Sequence, residues 1–87
     1  MGIYDAEAAA IVERAGLTLD AEGDGAGEAA KARGWRVLRG TTGDPATPCR
    51  VRLLGVGGTT VGVGLGETYP DARWAALADA LEPGGDP

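Results

Sequence analysis

Glycine alternates with larger apolar residues through TVGVGLG, residues 60–66. Such alternation is typical of a β-strand, because successive side chains point to opposite faces of a sheet. One face of this strand carries Val61, Val63 and Leu65, whereas the other carries only glycine. We therefore predict a strand with one apolar face and one bare face, and the question is what lies on the bare one.

The strand leads into the clearest helix signal in the chain, the alanine-rich stretch over residues 71–82. Thr68, followed three residues later by Asp71, resembles a capping box, and a proline at position 70 is tolerated in a first turn. Four apolar residues share one side of this helix: Trp74, Leu77, Ala78 and Leu81. The pattern predicts a strand, a helix cap and a helix.

A phosphate-binding loop is the competing interpretation of the same stretch. Such a loop needs a lysine before the threonine, to reach the terminal phosphates, but Glu67 stands there and repels phosphate. Gly62, Gly64 and Gly66 are spaced G-x-G-x-G, which differs from the dinucleotide-binding G-x-G-x-x-G. We expect no nucleotide and no cofactor.

The rest of the chain supplies a helix, a shorter helical segment and two further strands. Asp5 is the expected N-cap of the first helix, and Gly16 is expected to end it. In chain order, the expected elements before the final helix are a helix over 4–16, at most two helical turns over 28–34, and strands over 35–39, 49–55 and 60–65. The fold class is α+β, with a three-stranded antiparallel sheet, the order α-(α)-β-β-β-α, and helices packed on the sheet.

Length and composition favour one small cytoplasmic domain. The 87 residues fit a single domain, with an acidic, glycine-rich connection at about 18–27 and a flexible tail at 83–87. A single cysteine, Cys49, excludes an internal disulfide bond. No apolar run approaches the roughly 20 residues that span a bilayer, so we expect no membrane partner. Alanine, glycine, arginine and proline predominate, which suggests a GC-rich genome.

Which residues of the last two strands lie opposite one another depends on whether the loop between them has an odd or an even number of residues. A three-residue loop, Val56-Gly57-Gly58, with Gly58 in the left-handed conformation, sets odd-numbered residues opposite odd-numbered ones. The pairs expected across the hairpin are Leu53–Val61, Val51–Val63 and Cys49–Leu65. Both long helices should then cover this odd-numbered face, because their apolar sides need a sheet.

On the other face this register sets Arg52 opposite Gly62 and Arg50 opposite Gly64, with Arg36 beside them. We interpret these five residues as a partner-binding surface for something flat and acidic, since arginine is an effective interface anchor. Two alternatives remain open. The arginine stems can lie over the glycines and fill the missing volume, or the alanine-rich first helix can pack there and make a three-layer sandwich.

The acidic residues Asp20, Glu22 and Asp24 match part of a calcium-binding loop. Lys31, however, occupies the twelfth position, where a bidentate glutamate is needed. We interpret the three acids as an acidic surface and expect no metal.

Catalysis lacks its usual side chains. The chain contains neither histidine nor serine, so the common nucleophile–base pairs cannot form. Cys49 has no imidazole to activate it and is expected to point into the core as a small hydrophobe. We expect no catalytic residue and no enzyme activity.

Charge is segregated along the chain, whose net charge is −5. Residues 1–28 hold seven acids and one base, 29–52 hold six bases and one acid, and 53–87 hold five acids and one base. The overall negative charge repels nucleic acid at long range, while the central basic segment can dock an acidic partner.

Two family resemblances accompany these patterns. Residues 50–81, a hairpin with a G-x-G-x-G strand and an alanine-rich helix, resemble the latter part of a double-stranded-RNA-binding domain. That family has lysines at the start of its last helix, where this chain has Glu67, Tyr69, Pro70 and Asp71. The segments EAAKARGW and GETYPDARWAALADAL also resemble small bacteriophage domains of the ABA-sandwich kind, which implies a phage or mobile-element accessory protein.

The leading hypothesis is a non-enzymatic protein that binds another protein, for example as an inhibitor of a host defence or nucleic-acid-processing factor. A nucleic-acid-binding module is the first alternative, using Arg36, Arg39, Arg50 and Arg52. A self-assembling structural component is the second, with the edge strand 35–39 pairing between chains.

Overall fold

The computed structural model describes residues 2–3, 6–17 and 24–81. It confirms the α+β class and the predicted order of helices and antiparallel strands. In chain order, the elements are β1 (Gly2–Ile3), α1 (Ala6–Arg14), α2 (Asp24–Ala32), β2 (Arg36–Thr41), β3 (Cys49–Leu54), β4 (Thr60–Gly66) and α3 (Tyr69–Leu81).

Most predicted elements lie within one or two residues of their observed positions, and the largest difference is in α2. This helix begins at Asp24, whereas the sequence pattern placed its start at Glu28. Residues 24–27 are therefore helical and not part of a connection. The predicted N-cap Asp5, the connecting residues 18–23 and the tail 83–87 lie outside the described residues.

The sheet has the strand order β1-β4-β3-β2. Strands β2, β3 and β4 form the antiparallel meander expected from the sequence. The two-residue strand β1, which the sequence pattern did not indicate, adds to β4 in parallel, with Gly2 opposite Gly64. Strand β2 therefore lies at one edge of the sheet, with β3 as its sheet neighbour.

The predicted register between β3 and β4 is wrong by one residue. Val51 lies opposite Gly64 and Leu53 opposite Gly62, whereas Arg52 lies opposite Val63. Arg50 is paired with Leu65 instead of a glycine. The glycines of β4 therefore share a face with the apolar residues of β3, and the arginines lie on the other face.

The register changes at a β-bulge next to the hairpin. Next to the loop Leu54 pairs with Thr60, which is the predicted register. The register then shifts by one residue between Leu53 and Leu54. Val61 is the additional residue and packs against the core. One additional residue in a strand sends every later side chain to the opposite face, which accounts for the error. In the loop itself, Gly58 has the predicted left-handed φ of 81°.

Helix α3 packs directly on the bare face of β4. A Cβ built on Gly62 would lie 2.5 Å from the carbonyl oxygen of Ala76 and 2.8 Å from Cβ of Ala80. A Cβ on Gly64 would overlap the backbone of Ala72 and Ala76. The absence of side chains on this face of β4 therefore lets the helix backbone lie against the strand.

The spacing of the glycines along β4 also matches the spacing of the alanines along α3. Two strand residues advance about 6.6 Å, and four helical residues rise about 6 Å. Alternate glycines along β4 therefore stay in step with alanines at every fourth position of α3, namely Ala72, Ala76 and Ala80. The strand and the helix run antiparallel, since Gly62 is near Ala80 and Gly64 is near Ala72.

Alanines form the side of α3 that lies against the glycines of β4, and Asp79 beside them accepts a hydrogen bond from the Val63 N–H of β4 at 2.9 Å. Trp74 and Leu81 lie about half a turn away from Ala72 and Ala76, on a side that α1 and α2 help to cover. Trp74 is 2% exposed there, and Leu81 borders Ile11 of α1. All three helices therefore lie on one side of the sheet, with α3 against β3 and β4, α1 against α3, and α2 next to both α3 and β2.

Local caps are seen at three helix ends within the described residues: the start of α3 and the ends of α1 and α2. The backbone N–H of Asp71 donates to Oγ1 of Thr68 at 3.4 Å, and the N–H of Ala72 donates to the Thr68 carbonyl at 3.0 Å. Gly16 ends α1 with a φ of 81°, and Gly34 ends α2 with a φ of 78°. Left-handed glycines at these positions satisfy the last carbonyls of the helices.

Candidate functional site

The sheet face away from the helices carries arginine and aliphatic side chains together. We call it the open face. By register it consists of Arg36, Leu38, Arg50, Arg52, Leu54, Val63 and Leu65. In the described part of the chain, no helix packs on it, and the aliphatic members do not join the hydrophobic core.

On the open face the arginines are exposed, whereas most of the aliphatic side chains are half-buried. The three arginines are exposed, and Leu38 is 37% exposed. Leu54, Val63 and Leu65 are half-buried between their neighbours in the sheet. On this face Arg50 and Arg52 lie on the inner strand β3, with Leu38 of β2 on one side and Val63 and Leu65 of β4 on the other. No layer of the described residues covers them.

Arg50 is held across the neighbouring strand. Its guanidinium lies over Gly40 of β2, since a Cβ built on that glycine would lie 3.4 Å from Nη2 of Arg50. Together with Leu38 and Arg52 these residues border a shallow depression of about 160 Å³. An arginine side chain over glycine was one of the two alternatives that the sequence left open, and such a contact occurs at Gly40 and not at Gly62 or Gly64.

The structure separates the five residues of the predicted partner-binding surface. Arg36, Arg50 and Arg52 share the open face, as expected. Gly62 and Gly64 are buried beneath α3 on the opposite side of the sheet. The prediction that these glycines lie beside the arginines is therefore wrong, because the bulge at Val61 inverts the faces of β4.

The predicted acidic surface is represented by one described residue. Asp24 is exposed at the first position of α2, where a carboxylate is favourable next to the helix N-terminus. Asp20 and Glu22 lie outside the described residues. Within the ranges that the structure describes, no three His, Cys, Asp or Glu side chains group together as metal ligands would.

Cys49 is half-buried at the start of β3 and packs against the core, as predicted. Its Sγ lies 3.7 Å from the carbonyl oxygen of Glu67.

A second concave surface, which the sequence analysis did not find, lies between α2 and β2. We call it the α2–β2 groove; it is open and has a volume of about 700 Å³. Its lining residues are Asp24, Gly27, Glu28, Lys31, Trp35, Arg36, Val37, Arg39 and Arg73. The sequence pattern that could have indicated this groove is the alternation in β2, because the odd-numbered residues Val37 and Arg39 point to the helix side of an edge strand.

Two aromatic residues position arginines near this groove. The Arg39 guanidinium lies over the Tyr69 ring at 5.2 Å from its centroid, and that of Arg33 lies over the Trp35 ring at 5.8 Å. The Tyr69 hydroxyl donates to the carbonyl of Gly40 at 3.0 Å. The tyrosine thus links α3 to β2 and restrains Arg39.

No helix in the described ranges is both long and apolar enough to cross a membrane. Comparison with known proteins gives no match to any family model, to any curated protein or to any solved structure.

Proposed function

We propose that this protein is a non-catalytic binding module and that its open face docks an acidic surface of a different protein. The supporting observation is the composition of that face, where three exposed arginines are interleaved with aliphatic side chains and no described helix lies over them. Arginine is enriched at protein interfaces, where it acts as an anchor beside apolar side chains.

Aliphatic side chains favour a protein over a nucleic acid as the partner. Sheet surfaces that bind single strands use aromatic rings on which bases stack. Of the described aromatic residues, Trp35 packs against the core, and Tyr69 and Trp74 belong to α3. In the part of the chain that the structure describes, the open face supplies positive charge but no aromatic ring on which a base could stack.

Charge also favours a different protein over a second copy of this chain. Two open faces in contact would bring both sets of three arginines together, and like charges in an interface are unfavourable. Among the described residues the acidic side chains lie on helices and loops and not on the open face. A partner with carboxylates next to small apolar patches fits this surface better.

The finer form of the proposal is a phage or mobile-element accessory protein that inhibits a host defence or nucleic-acid-processing factor. It is supported by the small size, by the segregated charge and by the resemblance of the last helix and its cap to phage ABA-sandwich domains. Adjacent anti-defence genes would support this form, whereas adjacent capsid genes would favour a structural role.

A charge-reversal pair tests the open face directly. The Arg50→Glu/Arg52→Glu variant keeps the fold, since both side chains are exposed, but it should lose at least about tenfold in affinity for an acidic partner. Immobilised wild-type protein, this variant and the control Arg14→Glu would be compared for capture from nuclease-treated lysate of the source cells. Arg14 is exposed on α1, away from the open face.

The proposal predicts a stoichiometric protein retained by wild type and by the control, released at high salt, and absent with the double variant. Equal capture by all three proteins, or no stoichiometric capture, would overturn it. Oligonucleotide probes at low salt test the alternative, because a mobility shift that the double variant abolishes would point to nucleic acid.

A further inference from the structure

The outer edge of β2 has unpaired backbone groups. The N–H of Thr42 donates to the carbonyl of Pro48 at 3.1 Å, and this pair continues the register of β2 with β3. Bonding direction alternates along an antiparallel strand, so the N–H and C=O groups of Val37, Arg39 and Thr41 point away from β3. In the part of the chain that the structure describes, no other group bonds to them.

The α2–β2 groove lies immediately beside this edge. The side chains of Val37 and Arg39 point to the helix side and line the groove together with Lys31 of α2 and Arg73 of α3. A strand added to β2 would lie about 4.8 Å from it and would direct alternate side chains into the groove. The free edge and the groove therefore form one continuous surface.

We propose that this surface binds an extended acidic peptide segment of another protein by β-strand addition. Main-chain hydrogen bonds to Val37, Arg39 and Thr41 would hold the segment, and the groove would select its side chains. The groove carries four cationic residues and two acidic ones, which favours carboxylates on the peptide side chains that enter it. Arg39 is restrained for this role by its contact with the Tyr69 ring.

A second copy of this chain is a poorer occupant of the edge. Antiparallel pairing of two β2 strands centred on Arg39, the middle of the three residues that face outward, would set the Arg39 side chains of both copies opposite one another, and like charges across paired strands are destabilising. The two surfaces share Arg36, but the inference does not depend on the function proposed for the open face, because Arg50 and Arg52 do not line the groove.

A synthetic strand provides the test. The probe is a capped hexapeptide of alternating valine and glutamate, added to isotope-labelled protein and followed by amide NMR shifts and amide hydrogen exchange. We expect amide exchange at Val37, Arg39 and Thr41 to slow by about tenfold or more at saturation, because these N–H groups become bonded. Arg39→Glu should weaken binding about tenfold, whereas Arg52→Glu on the open face should leave it unchanged.

Two control peptides separate strand addition from charge attraction alone. The same hexapeptide with N-methyl groups on alternate residues keeps its charge but loses its donors, so it should bind at least about tenfold more weakly. A version with lysine in place of glutamate should not bind, because it meets Lys31, Arg39 and Arg73.

Three results would overturn the inference. They are no binding of the glutamate peptide, equal binding of its N-methylated form, and shifts confined to residues around Arg50 and Arg52. Protection of the three β2 amides that rises with protein concentration, without peptide, would likewise overturn it in favour of pairing between copies.

Discussion

Gly64 is the residue whose size is most restricted in this fold. It lies in the centre of β4, opposite Val51 on one side and Gly2 on the other, with the backbone of α3 directly above it. The neighbouring atoms are backbone atoms of Ala72, Ala75 and Ala76 and not flexible side-chain ends. Relief of an overlap here would require movement of the whole helix.

We expect Gly64→Ala to lower the free energy of unfolding by about 3 kcal/mol, because its methyl group overpacks the strand–helix contact. The matched control is Gly27→Ala in α2, where a Cβ meets nothing within 4 Å. That change should raise stability by about 0.5–1 kcal/mol through helix propensity. Urea unfolding measures both, and equal midpoints for the two variants would contradict the packing described here.

For β4, the sequence predicted that one face is bare but not which side of the sheet that face is on. The alternation of glycine correctly predicted a bare strand face, because period two is a local property. Which way that face points depended on Val61, an ordinary valine that carries no turn or bulge signal. The useful signal lay elsewhere in the chain, since Ala72, Ala76 and Ala80 provide the matching surface for the glycines.

Helix α3 is the element around which the others assemble. It contacts β3 and β4 on one side and α1 and α2 on others, and six of its thirteen residues are buried. Its start could be predicted because capping involves only neighbours in sequence, and Thr68 does cap it. Its orientation could not, because the larger residues Trp74 and Leu81 face the other helices and the alanines face β4.

Removal of the cap should destabilise the whole domain. Thr68→Ala removes the acceptor for the N–H of Asp71, and we expect a loss of about 1 kcal/mol in the free energy of unfolding. Thr68→Ser keeps a hydroxyl and serves as the control, with a loss of only a few tenths of a kcal/mol. Thermal unfolding followed by circular dichroism compares them, and identical melting temperatures for alanine and wild type would show that the cap contributes nothing.

The open face of the molecule carries positive charge but none of the described acidic side chains. The described acidic side chains lie on helices and loops, and three arginines lie on the open face. The sequence predicted that these arginines would share a surface, because the alternation within each strand is local. It did not predict the α2–β2 groove, which exists only because separate segments meet there.

The open-face arginines should keep the protein from self-association. We expect Arg50→Leu/Arg52→Leu to dimerise, because the change joins Leu38, Leu54 and Val63 into a continuous apolar face. Sedimentation equilibrium at several concentrations measures this, with wild type expected to remain monomeric. The control Arg14→Leu, on α1, should also remain monomeric.

The close contact between β4 and α3 also has an evolutionary consequence. Gly62 and Gly64 cannot accept a side chain unless the helix moves, whereas Val63 and Leu65, one position along, face outward. In descendants of this chain, neighbouring positions of one strand should therefore diverge at unequal rates, slow and fast in alternation. The fast positions would change with the binding partner, whereas the slow positions would be kept by the packing of β4 against α3.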